Sequence, residues 1–165
     1  MKRLSLFAVA LALFAAGCSK SSTSPSTTPT KPTFTAALSA ANEVPPITGT
    51  EANARGDATI TFDTTASSVT FVVNLSNFPA GSQINIAHIH EGASGVAGAV
   101  RIATTLTAAQ AVVLTNGSGS FTSVATSVDQ ALMQAVINNP AGFYFNAHSA
   151  INGGGVVRGQ LVKVQ

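Results

Sequence analysis

Cysteine and charge are both scarce in this 165-residue chain, and each scarcity excludes a class of protein. Cys18 is the only cysteine, so no disulfide can form within the chain and its stability has to come from burial of apolar surface. Charged residues make up only 8% of the sequence. Without Lys2 and Arg3, six basic and six acidic residues remain, so no basic patch is left to attract nucleic acid. The sequence therefore excludes a disulfide-rich fold and predicts no nucleic-acid partner.

The N-terminus has the pattern of a bacterial lipoprotein signal. Two basic residues precede an apolar run, Leu4 to Ala16, that is too short to span a bilayer comfortably, and small residues then lead to Cys18. The pattern resembles signals in which residues 1–17 are removed and the cysteine is lipidated. Ser19 stands where an aspartate would favour the inner membrane, so the resemblance implies an outer-membrane anchor. An ordinary secretory signal followed by a chance cysteine is the alternative.

Two segments are expected after the signal. Residues 18–33 are mostly Ser, Thr and Pro, a composition that predicts an extended tether with a reach of about 20–30 Å. Residues 34–165 remain as one domain, and about 130 residues are enough to form a single core.

Alternation of apolar and polar residues predicts an all-β domain from Phe34 onward. Residues 55–63 and 69–75 alternate clearly and are joined by a hairpin-length connection, so they are expected to pair antiparallel. Seven or eight short strands at this spacing predict an antiparallel Greek-key β-sandwich or barrel, immunoglobulin-like in class. The other expected strands are residues 34–39, 84–90, 99–106, 118–124, 143–149 and 156–164, while residues 107–114 are ambiguous.

One short helix is predicted near residues 127–138. Apolar residues recur at helical spacing from Val128 to Val136, and Ser127 is placed to cap the first turn. Pro140 should end the helix.

The three histidines lie in two of the expected strands. His88 and His90 are separated by one residue, so in a strand they project from the same face, and His148 lies in the strand over 143–149. Three imidazoles can hold one zinc or copper ion and leave a fourth position open. The alternative is that all three are structural histidines bonded to neighbouring groups. Which applies depends on whether the two strands meet, and the sequence alone does not show this.

Four motifs, in this order, resemble the CHRD (chordin-type) domain. They are Asn42-Glu43-Val44-Pro45-Pro46, His88-Ile89-His90-Glu91-Gly92, Tyr144-Phe145-Asn146-Ala147-His148 and Val156-Val157-Arg158-Gly159-Gln160-Leu161. The resemblance covers Phe34 to Leu161 and implies an extracytoplasmic β-domain. In chordin such domains accompany growth-factor antagonism, and in bacteria they occur on secreted or lipid-anchored proteins of mostly unassigned activity. It marks as motif residues Glu43, Pro45, Pro46, Glu91, Gly92, Asn146, Arg158, Gly159 and Gln160.

A second similarity, to copper/zinc superoxide dismutase, concerns only the histidines and the type of fold. There too a His-x-His-Glu run is followed much later by a lone histidine in a strand, which would make His88, His90 and His148 copper ligands. The fourth copper histidine and the zinc-loop histidines have no counterpart, because the chain contains only three histidines. The similarity implies a superoxide-dismutase-like barrel, and dismutation does not follow from it.

Two function classes follow from these observations. The first is a non-catalytic binding or structural module of the cell envelope, anchored to the outer membrane by its lipid, with a protein or envelope component as ligand. The second is a metal-binding protein that holds one copper or zinc ion in a three-histidine site, with redox activity in the manner of superoxide dismutase as a further option within this class. In either class Arg158 is expected to be buried beside a carboxylate such as Glu43 or Glu91.

Overall fold

Ten strands form one antiparallel sheet in the computed structural model, which describes residues 31–164. The predicted signal peptide, the lipidated Cys18 and most of the tether lie outside these residues. The strands are β1 (Thr33–Ser39), β2 (Arg55–Asp63), β3 (Ser68–Ser76), β4 (Ser82–Glu91), β5 (Val100–Ala103), β6 (Val112–Leu114), β7 (Gly119–Ala125), β8 (Phe143–Ser149), β9 (Val157–Gln160) and β10 (Val162–Lys163).

The sheet curls into a nearly closed barrel. Its strand order is β5-β4-β8-β9-β1-β2-β3-β7, with β6 paired to β4 and β10 paired to β1. The two ends of this order meet where the main-chain N–H of Thr105, just after β5, donates to the hydroxyl of Ser123 in β7 at 2.8 Å. The all-β prediction is confirmed, and the barrel is the form that the sheet takes.

Alternating side chains of the strands fill the interior of the barrel. Phe34 packs edge-on against Phe62, with ring centroids 5.4 Å apart, and Phe71 lies 5.8 Å from Phe145. All four rings are fully buried. Burying a large apolar side chain contributes about 1.5–3 kcal/mol, so these residues supply much of the stability that disulfides cannot.

The predicted helix is present but begins later than expected. Helix α1 spans Gln130–Asn138, and its N-cap is Asp129, whose side chain accepts from the N–H of Leu132 at 2.8 Å. Ser127 was expected to cap the helix, but its φ of 56° places it in the left-handed region outside the helix. Asp and Ser cap helices about equally well, so the sequence could not distinguish the two positions.

Two predicted strands differ in length from the structure. The strand expected over 99–106 is only β5, and the ambiguous stretch 107–114 becomes a short 3-10 turn followed by β6. The last strand, expected as one piece, is divided into β9 and β10 at Leu161, whose side chain is buried and whose N–H donates to the carbonyl of Phe143. The interruption at Leu161 is one residue long and leaves the apolar and polar alternation of the sequence unchanged. The sequence therefore gives no sign that this strand is divided into β9 and β10.

Strand β8 is buried on both faces, and its outer face carries polar side chains. Phe143, Phe145 and Ala147 belong to the apolar core. By alternation Tyr144, Asn146 and His148 point out of the barrel, where loops cover them. We call this outer group the polar layer, which consists of Tyr144, Asn146 and His148 of β8, His88 and His90 of β4, and Arg158 of β9.

Cross-strand pairing places the polar layer at the C-terminal end of β1. Ser39 pairs with Arg158, Arg158 with Asn146, and Asn146 with His88. Thr33, where β1 begins, is six residues earlier on the same strand.

Among the residues described, no helix combines the length and the apolar character needed to cross a membrane.

Candidate metal centre

The pairing of β4 with β8 brings the three histidines together. His88 lies opposite Asn146 and His90 opposite Tyr144, so His148 is one alternation away on the same outer face. One ring nitrogen from each histidine lies within 4.8 Å of the others. The shortest separation is 3.1 Å, between Nδ1 of His88 and Nε2 of His148. His88 and His90 thus share one face, as the sequence predicted. The structure adds that His148, whose position the sequence left open, lies beside them.

Two backbone carbonyls fix which nitrogen carries the hydrogen on His90 and His148. Nδ1 of His90 donates to the carbonyl of Gly98 at 2.9 Å, and Nδ1 of His148 donates to that of Gly153 at 3.0 Å. Because a carbonyl can only accept, each Nδ1 carries its hydrogen and each Nε2 of a neutral ring keeps a free lone pair. Nε2 of His148 therefore accepts from His88, and Nε2 of His90 is buried without a partner among the described residues.

All three rings are held in the neutral form. Burial, with repulsion from His148 and then His90 as smaller causes, lowers the pKa of His88 to about 4. Burial also lowers the pKa values of His90 and His148, although the hydrogen bonds to Gly98 and Gly153 oppose the shift. Neutral imidazole is the form that binds a metal ion, so protons do not compete for these nitrogens near pH 7.

The chain's only tyrosine supports His90 from one side. The Tyr144 ring stacks on the His90 ring with centroids 4.8 Å apart and planes 8° from parallel. Its hydroxyl accepts from the N–H of Gly98, the residue whose carbonyl holds His90. The guanidinium of Arg158 lies 3.4 Å above the Tyr144 ring centroid, at the distance of a cation–π contact. Ring orientation and tautomer of His90 are thus fixed by the same small group of residues.

Arg158 is buried, with only 2% of its surface exposed, but its direct partners are not the expected carboxylates. One of its terminal nitrogens donates to the carbonyls of Ala93 and Val96 at 2.9 and 2.8 Å. Glu91, one of the expected partners, projects to the surface and pairs with Arg101 at 3.4 Å. Backbone carbonyls of the loop between β4 and β5 therefore accept the hydrogen bonds that a carboxylate was expected to accept.

Glu43, the other expected partner, is buried near Arg158. Its carboxylate accepts from the side-chain amide of Asn146 at 3.4 Å, and its second oxygen is buried without a partner among the described residues. Burial raises the pKa of Glu43 to about 7, although Arg158 and, less strongly, Asn146 lower it. Arg158 therefore acts on this acid through space, and the acid is partly protonated at neutral pH.

The remaining motif residues anchor the loops over the polar layer. The side-chain amide of Gln160 donates to the carbonyl of Gly92 at 2.9 Å and to that of Ala141 at 2.8 Å. Gly159 is required because a Cβ there would overlap the carbonyl oxygen of Ala37 on β1. Pro45 and Pro46 line a surface cavity of about 310 Å³ that has no histidine in its lining.

One buried residue of this region has no counterpart among the candidates from the sequence. Glu51 has 1% of its surface exposed, and its carboxylate accepts from Ser149 and Asn152, both at 2.6 Å. It stands in a polar, glycine-containing stretch where an acid is usually solvated, so its burial had no sequence signal.

The donor set fits zinc or copper better than a hard cation. Three neutral imidazoles suit Zn²⁺ and Cu²⁺, whereas Ca²⁺ and Mg²⁺ prefer oxygen ligands. Two nitrogens bound to one tetrahedral zinc lie about 3.4 Å apart, and the His88 and His148 nitrogens are already 3.1 Å apart. An ion bound between these two nitrogens would replace the hydrogen that Nδ1 of His88 donates to His148, so the His88 ring would then carry its hydrogen on Nε2.

Comparison with known proteins identifies the domain. Comparison with curated proteins and with solved structures gives no match. A family model of the CHRD domain matches residues 34–161, the range that the resemblance was expected to cover and that contains all four motifs. The motif residues Glu43, Asn146, Arg158, Gly159 and Gln160 are those that build and cover the polar layer. The chain therefore belongs to the CHRD-domain family.

Proposed function

We propose that this CHRD domain binds one Zn²⁺ or copper ion through His88, His90 and His148. The observation that carries the proposal is the convergence of three ring nitrogens within 4.8 Å, two of them with their lone pairs fixed by carbonyl partners. Histidines that bind metals almost always donate their second N–H to a carbonyl, a carboxylate or water.

The buried, unpartnered Nε2 of His90 is a second argument for an ion. A buried polar atom without a hydrogen bond costs about 1–3 kcal/mol, and such atoms are rare in folded proteins. A metal ion bound at this nitrogen would remove that cost. Four other buried side-chain atoms of the described residues also lack a partner, so this nitrogen supports an ion only together with the convergence of the three rings.

The proposal predicts stoichiometric metal binding by the purified full-length protein. We expect one equivalent of Zn²⁺ or Cu²⁺ in titration calorimetry and retained metal in elemental analysis. His148→Ala should weaken binding at least tenfold, about 1.4 kcal/mol, because one of three ligands is lost.

Gln83→Ala is the matched control, because Gln83 is an exposed residue of β4 outside the cluster. Its affinity should equal that of the wild type. Absence of binding, or binding indifferent to His148, would leave a non-catalytic binding module as the function. The copper-loaded protein should also be assayed for superoxide dismutation, since the sequence raises that alternative.

We further propose that the domain is held at the bacterial outer membrane by a lipid on Cys18. The support is the signal-like N-terminus and the single cysteine that follows it. The lipid is then the contact with the membrane, and the domain acts outside the cytoplasm.

Metabolic labelling tests this anchor. A labelled fatty acid should enter the wild-type protein and not Cys18→Ser, and the variant should no longer fractionate with the outer membrane. A wild-type protein that takes up no label and accumulates as a soluble periplasmic species would refute lipidation.

A further inference from the structure

Glu51 is a buried acid that no motif and no expected site explains. It ends a short 3-10 helix, Gly49–Glu51, in the connection between β1 and β2, and it is 1% exposed. One carboxylate oxygen accepts two hydrogen bonds, and the other is buried without a partner among the described residues. Burying a carboxylate in this way is costly, so its contacts need an explanation beyond stability.

Both hydrogen bonds of Glu51 reach the turn between β8 and β9. The donors are the hydroxyl of Ser149 and the side-chain amide of Asn152, each at 2.6 Å. The main-chain N–H of Asn152 also donates to the Ser149 hydroxyl at 2.9 Å. Hydrogen bonds to a charged acceptor are shorter and stronger than neutral ones, so this carboxylate restrains the turn in addition to the main-chain bond from Ala150 to the carbonyl of Gln83.

The middle of the turn has little packing of its own, whereas its last residue, Gly155, is buried and donates its N–H to the carbonyl of Asn152 at 3.1 Å. The middle contains Gly153 and Gly154, both exposed, and a Cβ built on either would meet nothing within 4 Å. Consecutive glycines are conformationally permissive, so such a turn would sample many backbone conformations without an external restraint.

One carbonyl of this turn belongs to the histidine cluster. The oxygen of Gly153 accepts from Nδ1 of His148 at 3.0 Å and thereby leaves Nε2 of that ring free toward His88. The position of the Gly153 carbonyl therefore decides the tautomer of His148, and Glu51 holds the residue directly before it, Asn152.

We propose that Glu51 is a positioning residue: it fixes the turn over Ser149–Gly155 so that the Gly153 carbonyl presets His148 to bind a metal ion through Nε2. This inference rests on the proposed metal-binding function. Glu51 itself does not contact the ion. It acts through Asn152 and the Gly153 carbonyl, as the outer partners of metal-binding histidines commonly do.

Two measurements on the full-length protein test the proposal. The first is the histidine tautomer in the metal-free protein, read from long-range ¹H–¹⁵N correlation spectra. Wild-type His148 should carry its hydrogen on Nδ1, and Glu51→Ala should give a mixture of tautomers at His148 while His90 keeps its own. The second is Zn²⁺ affinity, which Glu51→Ala should lower by about 10–100-fold.

Two further variants and a control keep the test decisive. Glu51→Gln retains one accepting oxygen, so its tautomer mixture at His148 and its loss of Zn²⁺ affinity should both be smaller than those of Glu51→Ala. If Glu51→Ala does not fold, Asn152→Ala should produce the same tautomer mixture at His148. Asp57→Ala, which removes an exposed carboxylate of β2 outside the polar layer, should change neither readout.

The outcomes separate this inference from the metal proposal. A folded Glu51→Ala protein in which His148 stays wholly in the Nδ1–H form would overturn the positioning role. A tautomer mixture of the same extent at His90 and His148 would also overturn it, because that result indicates a general loss of structure. A tautomer change at His148 in a protein that binds no Zn²⁺ would support the positioning role and refute the metal site.

Discussion

Replacing Arg158 by alanine should lower the free energy of unfolding by about 3–5 kcal/mol, because a hydrogen bond to a charged group contributes about 1.5–3 kcal/mol and two such bonds are lost. The substitution removes two hydrogen bonds to the loop between β4 and β5, the contact with the Tyr144 ring and the positive charge near Glu43. For a domain of this size the loss corresponds to a fall in melting temperature of about 10 °C or more.

Thermal and denaturant unfolding of three variants would measure this effect. Arg101→Ala is the matched control, because Arg101 is exposed and its pair with Glu91 should contribute no more than about 1 kcal/mol. Arg158→Lys keeps the charge but cannot reproduce both carbonyl contacts and the stacking, so its stability should fall between wild type and Arg158→Ala. Equal stability of Arg158→Ala and Arg101→Ala would show that the buried guanidinium contributes little.

Glu43→Gln should change how the stability of the domain depends on pH. The pKa of Glu43 is raised from 4.5 to about 7 in the folded protein, chiefly by burial. Between these two values the unfolded chain has lost the proton and the folded protein still holds it, so Glu43 lowers the free energy of unfolding as the pH rises. By pH 8 the full cost of about 3 kcal/mol is present, and the neutral amide that replaces the carboxyl group in the variant does not incur it.

The measurement is the difference in free energy of unfolding between Glu43→Gln and wild type at several pH values. The lowered pKa values of the three histidines have the opposite effect on stability below pH 6.5, but they act in both proteins and cancel in the difference. The two proteins should be similar near pH 4.5, and the variant should be the more stable by pH 8. Parallel profiles would mean that Glu43 ionises in the folded protein as it does in the unfolded chain.

Local patterns in the sequence were enough to predict the strands and one face of the site. Strands β2 and β3 lie where alternation placed them, and the same alternation puts His88 and His90 on one face of β4. Both predictions depend on a period of two residues, which is a property of the strand itself.

Features that depend on pairing between distant segments could not be predicted from those patterns. His148 reaches His88 only because β8 pairs with β4, and the two residues are 60 positions apart. Arg158 is held by carbonyls of a loop more than 60 positions away, and backbone carbonyls carry no residue-specific signal. The burial of Glu51 likewise follows from the placement of its loop against the turn after β8.

The position of the polar layer along β1 also determines how a tethered domain would present its histidines. With a lipid on Cys18, the chain would enter the barrel at Thr33, and the polar layer lies six residues further along that strand, a distance of about 20 Å. The expected tether adds about 20–30 Å between the bilayer and Thr33. The polar layer would then be separated from the bilayer by the length of β1 as well as by the tether.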